Sequence, residues 1–469
     1  MLCAVFSVMV AFVAAAQSEA AEPTAANLIA AAGFPEANLG YVVVSLADGR
    51  VKRVHQVTNA FIPASMVKLA TAFAGLEVLG AEHRFSTPIY AVERPDGLHL
   101  HLSGGGDPVL VQEDMQRLAT SLARQVAGFR IAGFTYDSDG LPFISAIDPS
   151  DDIANSYNPP VAALSVNFNR QWLRWERAPD HFAMLVSMLP DLGQAAPGVA
   201  AIRASDGRPV QVLDGLPTRF LIEPRVPSKG QRRVAVRRPA LRAAMMVQRY
   251  AVEAGVVLPL PTQGARPAEA LVLTQVSSRP MTEIAAALMK FSNNLSAELV
   301  GLAVANKLGQ RPGTLREGAA TVRAWVGERV PAMTGDGMQW SNQSGLSGEA
   351  RLSPLALLSL LQHAGPRAFG DQRFLDLLHE PRWSERDPTL TIRAKSGTMS
   401  YARGQAGLLI TKDGREFLFV LMHTDFDARA RFEAHPQRFA NPIRRQAGRW
   451  VAQARVLEQA LLRHWAKTL

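Results

Sequence analysis

The sequence predicts an α+β protein in which one antiparallel sheet, assembled from strands at the two ends of the chain, is flanked by helices and carries inserted, mostly β modules. Three observations predict it. Paired strand-like runs with turn signals stand near both termini, and runs with apolar helical spacing lie between them. The first and second helical segments of interest, at Ser65 and Ser292, are 227 positions apart, too far for connecting helices alone. At 469 residues and 48% hydrophobic content the chain can bury more than one core, and length alone suggests roughly two to four domains.

The first 21 residues contain no Lys or Arg, and the apolar run Leu2 to Ala16 ends in Ala14-Ala15-Ala16, a small-residue cleavage pattern. About 15 apolar residues fall short of the ~20 that a spanning helix needs. Residues 1–21 are therefore expected to be a cleaved secretory signal peptide and the mature protein to be periplasmic. The usual positive n-region is missing, which leaves open a start upstream of Met1. The only cysteine, Cys3, lies in this leader, so a cleaved product would have neither disulfide nor cysteine metal site.

Next, Gly40 to Ser45 and Arg50 to Val57 read as strands joined at Ala47-Asp48-Gly49. A helix follows with apolar residues at Leu69, Ala72, Phe73, Leu76 and Leu79, closed by Gly80. Leu98-His99-Leu100-His101-Leu102 alternates as a strand does and runs into Ser103-Gly104-Gly105-Gly106-Asp107-Pro108. That glycine run lacks the Gly-Lys-Ser/Thr of a phosphate loop and is expected to be a tight turn. Pro-rich breaks at Pro159-Pro160, Pro190, Pro197, Pro224, Pro227 and Pro259 to Pro261 place inserted modules between about 84 and 278. Near the end, Gln405 to Ile410 and Glu416 to Met422 form a second hairpin about Lys412-Asp413-Gly414, and a helix over about Ala447 to Trp465 closes the chain.

The net charge of +9 and pI near 10.0 permit peripheral contact with an anionic membrane or wall. Basic residues are scattered and form no block, so no nucleic acid partner is expected. His99 and His101 could share a strand face, but no third ligand stands at a metal-site spacing, and no metal or other cofactor is expected. Only eight of the 50 basic residues are lysines, and lysine, unlike arginine, can give up its proton.

Two of those lysines stand in motifs. Ser65-Met66-Val67-Lys68 puts an amine one helical turn from a hydroxyl. Pro63 suits a first turn and places Ser65 near a helix N-terminus, where free N–H groups stabilise negative charge. Nucleophile, base and half an oxyanion hole thus fall within four residues. A Ser-x-x-Lys tetrad alone arises by chance about once in a chain this long. Two further motifs follow in order: Ser292-Asn293-Asn294, and Lys395-Ser396-Gly397-Thr398 inside a strand-like run. Ser292 and Asn294 could instead cap the following helix, and Lys395 could be an ordinary edge charge.

The ordered triple Ser-x-x-Lys, Ser-x-Asn, Lys-Ser-Gly resembles that of penicillin-binding proteins and class A β-lactamases. With Gly105-Gly106-Asp107-Pro108, Tyr136-Asp137, Tyr157, Pro160, Ala163 to Asn167 and Ser344-Gly345-Leu346-Ser347, the chain is similar to the class C low-molecular-mass penicillin-binding proteins, the D-alanyl-D-alanine carboxypeptidases/endopeptidases of bacterial walls. The resemblance implies a serine β-lactamase/DD-peptidase-like transpeptidase domain over 22–83 and 279–469. It also implies one inserted domain over 84–165 with 235–278 and another over 166–234. Peptidoglycan stem peptides and β-lactams are the implied partners; the oligomeric state is left open.

The same resemblance implies the roles. Ser65 attacks the penultimate D-alanine carbonyl, Lys68 takes its proton, Ser292 relays a proton to the leaving amine, and Asn294 holds the substrate backbone. Lys395, Ser396 and Thr398 receive the terminal carboxylate, and Gly397 lets the peptide approach the strand. Asp152, ahead of Tyr157 and Pro160, could meet a free amine on a diaminopimelate stem; a plain acidic loop is the alternative. The family's Asp-Gly before Ser-Gly-Leu-Ser appears here as Asn342-Gln343, with Gly348 after it and Arg351 as the nearest arginine. Two other readings stay open at this level: a non-catalytic wall-binding protein of the same fold, and a β-lactamase or esterase.

Overall fold

The computed structural model describes residues 23–177, 184–189, 199–200, 208, 210–213, 219–222 and 226–469. The expected leader with Cys3 lies outside the described residues. Helix α1 (Pro23–Ala31) precedes the hairpin of β1 (Leu39–Ser45) and β2 (Val51–His55). A 3-10 turn over Ala64–Val67 leads into α2 (Lys68–Ala74), which widens into a π turn that ends at Gly80 with φ +99°. There follow β3 (Ser86–Arg94), β4 (Gly97–Leu102), α3 (Gln112–Gln125) and β5 (Ile131–Tyr136). Then come β6 (Arg170–Arg177), β7 (Met184–Leu189), β8 (Val199–Ala200), β9 (Val210–Leu213), β10 (Arg219–Ile222) and β11 (Lys229–Ala235).

Helix α4 (Pro239–Glu253) leads to β12 (Thr262–Gln263) and β13 (Leu271–Ser277). Four helices follow: α5 (Met281–Phe291), α6 (Asn294–Lys307), α7 (Leu315–Arg329) and α8 (Pro354–Ala364). The chain closes with the small pair β14 (Ala368–Phe369) and β15 (Gln372–Arg373), the strands β16 (Leu390–Met399), β17 (Ala402–Thr411) and β18 (Glu416–Thr424), and helices α9 (Phe426–Ala434) and α10 (Asn441–Thr468).

The expected sheet from both termini is present, in the order β16-β17-β18-β1-β2 and antiparallel throughout. Strand β1 is buried at all seven positions, which explains its unbroken apolar run: both faces of the sheet are covered. Val42 and Val44 pack with Phe61, Phe73 and Leu357 on the helical side. Tyr41 and Val43 pack with Leu457, Leu461 and Trp465 of α10 on the other. Successive strand residues point to opposite faces, so one strand joins two cores. Each such buried side chain contributes about 1.5–3 kcal/mol.

Between residues 84 and 278 a second sheet runs β12-β5-β4-β3-β13, with β4 and β5 parallel. Two small three-stranded sheets follow, β8-β10-β9 and β11-β6-β7. The region is β-rich, but the sequence reading overlooked α3 and α4. Met115, Leu118, Ala119 and Leu122 of α3 and Ala243, Met246, Val247 and Tyr250 of α4 sit at helical spacing and cover Leu100, Leu102 and Phe134 of the sheet.

The glycine run after β4 is a packed turn. A side chain at Gly105 would stand 1.7 Å from the Ser86 carbonyl oxygen, and the Pro108 carbonyl beyond it accepts a 2.7 Å bond from Ser296 of α6. His101 belongs to a buried network, 2.8 Å from Asp137 Oδ2 and 2.8 Å from Thr135 Oγ1, while His99 lies 3.0 Å from Asp96.

Candidate active site

Ser65 occupies the 3-10 turn just ahead of α2, and the backbone around it is unusual. Ala64 has φ +46°, a left-handed conformation that costs energy for a residue with a Cβ. The strand β16 passes directly over this turn. A Cβ on Gly397 would lie 2.2 Å from the Pro63 carbonyl oxygen, so Gly397 makes room for the turn that carries Ser65.

Lys68 is fully buried. Its Nζ lies 2.8 Å from Ser65 Oγ, 2.8 Å from Asn294 Oδ1 and 2.6 Å from the Ser344 carbonyl. Burial, and then the charge of Lys395, hold the Lys68 amine well below the usual lysine range, while Glu298 works the other way. Asn294 opens α6. Its Oδ1 receives Lys68 and its Nδ2 donates to the Tyr157 carbonyl at 2.9 Å, so this amide ties the amine to the inserted segment. Both of its polar atoms have a partner within the protein.

Ser292 caps neither helix with its side chain. It ends α5 in a left-handed conformation, φ +54°, and Asn293 performs the N-cap of α6 by accepting from Ser296 N at 3.0 Å. This places the Ser292 hydroxyl 2.9 Å from Lys395 Nζ, which also donates to the Ser396 carbonyl at 2.6 Å. Burial, helped by the charge of Arg403, pushes Lys395 down to about 7.

Ser65, Ser292, Asn294, Ser396 and Thr398 line one open cleft of about 1510 Å³. Asp152 is not among them. It is 2% exposed, accepts from Ala154 N at 3.0 Å and pairs with Arg208 at 3.2 Å. Its neighbour Asp151 does line the cleft, together with Asp148, Glu349 and Glu433; Tyr157 OH meets Asp151 at 3.3 Å, and burial pushes its carboxyl upward. Alternation of direction along an irregular loop is not legible in sequence, so this correction had no signal there.

A profile of the D-Ala-D-Ala carboxypeptidase 3 (S13) family matches residues 24–440. The chain belongs to this family. It is 28% identical over 440 residues to a D-alanyl-D-alanine carboxypeptidase of Actinomadura sp. (strain R39), an alignment covering 82% of this chain and 77% of the relative. Penicillin binding protein 4 of Haemophilus influenzae shares the fold, with TM-score 0.70 and 19% identity over 86% of this chain and 93% of that one. The same protein complexed with a β-lactam gives TM-score 0.64 and 18% identity over 82% and 89%. This S13 protein is thus an enzyme of the serine DD-peptidase type, acting on peptidoglycan-like substrates, with a penicillin-binding α+β fold carrying inserted β-rich domains.

Sequence reasoning missed the group that holds the Lys68 carbonyl partner in place. Glu298, fully buried on α6, accepts from Gln343 N and Ser344 N, both at 2.9 Å. The signal was available: Glu298 is four residues after Asn294 and is the one acidic residue in the largely apolar α6. The departure at Asn342-Gln343 is also accommodated. Asn342 Oδ1 accepts from Leu346 N at 3.2 Å, and Gln343 Oε1 accepts from Thr71 Oγ1 at 3.0 Å. Arg351 bonds the Gly348 carbonyl at 2.7 Å and so braces the same loop.

Proposed function

We propose that the protein is a serine D-alanyl-D-alanine carboxypeptidase/endopeptidase that cleaves peptidoglycan stem peptides through an acyl-enzyme on Ser65 and is acylated by penicillins. The observation that carries this reading is the buried Lys68 amine 2.8 Å from the Ser65 hydroxyl. A neutral amine has two protons and one lone pair. With Asn294 Oδ1 and the Ser344 carbonyl each accepting one proton, the lone pair is left facing Ser65, whose O–H donates into it.

The proton bookkeeping then closes. Ser65 Oγ bonds to the carbonyl carbon as its proton passes to Lys68, and the N–H groups of Ser65 and Thr398 stabilise the oxyanion; one such donor contributes ~2.7–4 kcal/mol. The C–N bond breaks as the leaving nitrogen takes a proton from Ser292, which Lys395 resupplies. In the second half, water attacks the ester carbon and loses its proton to Lys395 through Ser292. Ser65 Oγ departs and regains its proton from Lys68. The terminal carboxylate sits against Lys395, Ser396 and Thr398, and Asp151 supplies negative charge for an amine farther along the stem.

This cycle starts with Lys68 neutral and Lys395 protonated, which fixes the sign of its pH dependence. kcat/KM should fall on the acid side as Lys68 takes up a proton. On the alkaline side it should fall as Lys395 loses one, near its value of about 7. A bound carboxylate favours the charged amine, so the alkaline limb of kcat should lie above that of kcat/KM. A rate that climbs steadily through both regions would contradict the assignment.

Incubation with purified monomeric and cross-linked muropeptides, followed by mass analysis, tests the activity. Loss of a terminal alanine is expected for the carboxypeptidase reaction and conversion of dimers to monomers for the endopeptidase reaction. No product from either, with no adduct from fluorescent penicillin, would leave a wall-binding protein; rapid penicillin turnover would indicate a β-lactamase. The reading also makes residues 1–21 a removable leader and the mature enzyme periplasmic, and N-terminal sequencing of protein from the periplasmic fraction checks both. It assigns catalysis to 22–83 with 279–469, and takes 84–165 with 235–278 and 166–234 as the inserted domains.

A further inference from the structure

Behind the carboxylate end of the cleft lies a buried charge pair that the proposed reaction does not use. Thr398 is exposed to the cleft, and its Oγ1 accepts a hydrogen bond from Arg403 Nη1 at 2.5 Å. Arg403 is the register partner of Thr398 on β17 and is only 7% exposed. Its Nε donates to Glu458 Oε2 at 2.8 Å, and Gln405 Nε2 donates to the same oxygen at 3.2 Å. Glu458 is fully buried and is the one acidic residue in the 28-residue helix α10.

An arginine this deep needs a counter-charge. His423, its register partner on β18, is equally buried, and burial together with the Arg403 charge holds it near 3, hence neutral. Glu458 is therefore the group that permits a charged Arg403 here. Buried ion pairs are weak contributors to stability, because apolar replacements of similar volume often do as well or better. The pair's geometry suggests what it does instead. A hydroxyl oxygen that accepts from a guanidinium must turn its own hydrogen elsewhere, and Arg403 reaches Thr398 from within the sheet. The remaining direction is the cleft.

We propose that Glu458 and Arg403 are positioning residues: Glu458 fixes Arg403, and Arg403 orients the Thr398 hydroxyl so that it donates to the terminal carboxylate of the substrate. This rests on the reading above that Thr398 receives that carboxylate. The last helix of the chain thereby sets substrate selectivity at a strand sixty residues earlier.

The test compares two acyl donors on full-length enzyme: a D-Ala-D-Ala peptide with a free C-terminal carboxylate, and the same peptide ending in an amide. Wild type should prefer the carboxylate. E458Q should lower kcat/KM for the carboxylate peptide by about tenfold or more, mostly through KM, and change the amide peptide by less than about twofold. T398V should give a similar selective loss, and E458Q/T398V should add little to either, since neighbours in one chain of bonds are not additive. E458D, which restores the charge, should recover part of the preference. Equal losses on both donors, or fully multiplicative losses in the double variant, would overturn the proposal. Should E458Q not fold, R403K read through the same cycle decides it, because lysine cannot bridge Glu458 and Thr398 together. If wild type turns over neither peptide, the proposed activity fails; if it turns over both equally, the assignment of Thr398 fails.

Discussion

Ser65→Ala is expected to abolish covalent labelling by fluorescent penicillin and to lower peptide turnover by about five to six orders of magnitude, the range seen when a serine nucleophile is removed. The hydroxyl is small and half-buried on a turn whose shape is set by Ala64, Pro63 and Gly397, so the fold should survive and thermal melting should be close to wild type. Intact-mass spectrometry after incubation with penicillin reads the result directly. A stable adduct on the alanine variant would mean that another nucleophile carries the reaction, and the assignment of this cleft would fall with it.

Lys68 is the second case. Lys68→Met keeps roughly the volume of a side chain that is fully buried and removes the amine proposed to accept the Ser65 proton. Acylation should fall by about 10²–10⁴, the usual contribution of a positioned general base. The informative partner is Lys68→Arg. It preserves positive charge, but a guanidinium stays protonated and cannot act as a base. If the charge of Lys68 were what mattered, arginine would restore much of the rate; the proposed proton transfer expects it to be as slow as methionine. Stopped-flow acylation separates these outcomes, and circular dichroism of both variants shows whether the cleft has been retained.

Much of this was legible in the chain. The two hairpins appear where Asp48-Gly49 and Asp413-Gly414 mark them, because a turn needing positive φ is written in a dipeptide; Gly49 has φ +70° and Gly414 φ +84°. The Ser65–Lys68 contact was legible for the same reason, since three residues of helical backbone fix that distance. The Lys395 partnership was not. It depends on Ser292 ending α5 left-handed and pointing its hydroxyl across 103 positions of sequence. Helices α3 and α4 were overlooked although their spacing is regular, because the strand and proline signals around them were stronger.

Asp151 and Asp152 mark the limit of local reading. Both are acids in one loop, and no periodicity says which faces the cleft. Burial decides it, through Arg208 on one side and Tyr157 on the other. Glu298 and Glu458 show the same limit. A single acid in a largely apolar or a basic helix is conspicuous in sequence, yet its partner lies 45 or 55 positions away.

The sequence by itself determined the chemical groups and their local spacing: a hydroxyl and an amine one turn apart, a Ser-x-Asn, and a Lys-Ser-Gly-Thr in a strand. Only the tertiary structure decided how deeply each of those amines is buried, which of two neighbouring acids lines the cleft, and which side chains meet across it. Spacing is a property of the backbone within a turn or two, whereas proton affinity and hydrogen-bond direction depend on the desolvation and charge contributed by segments that meet only when the chain folds.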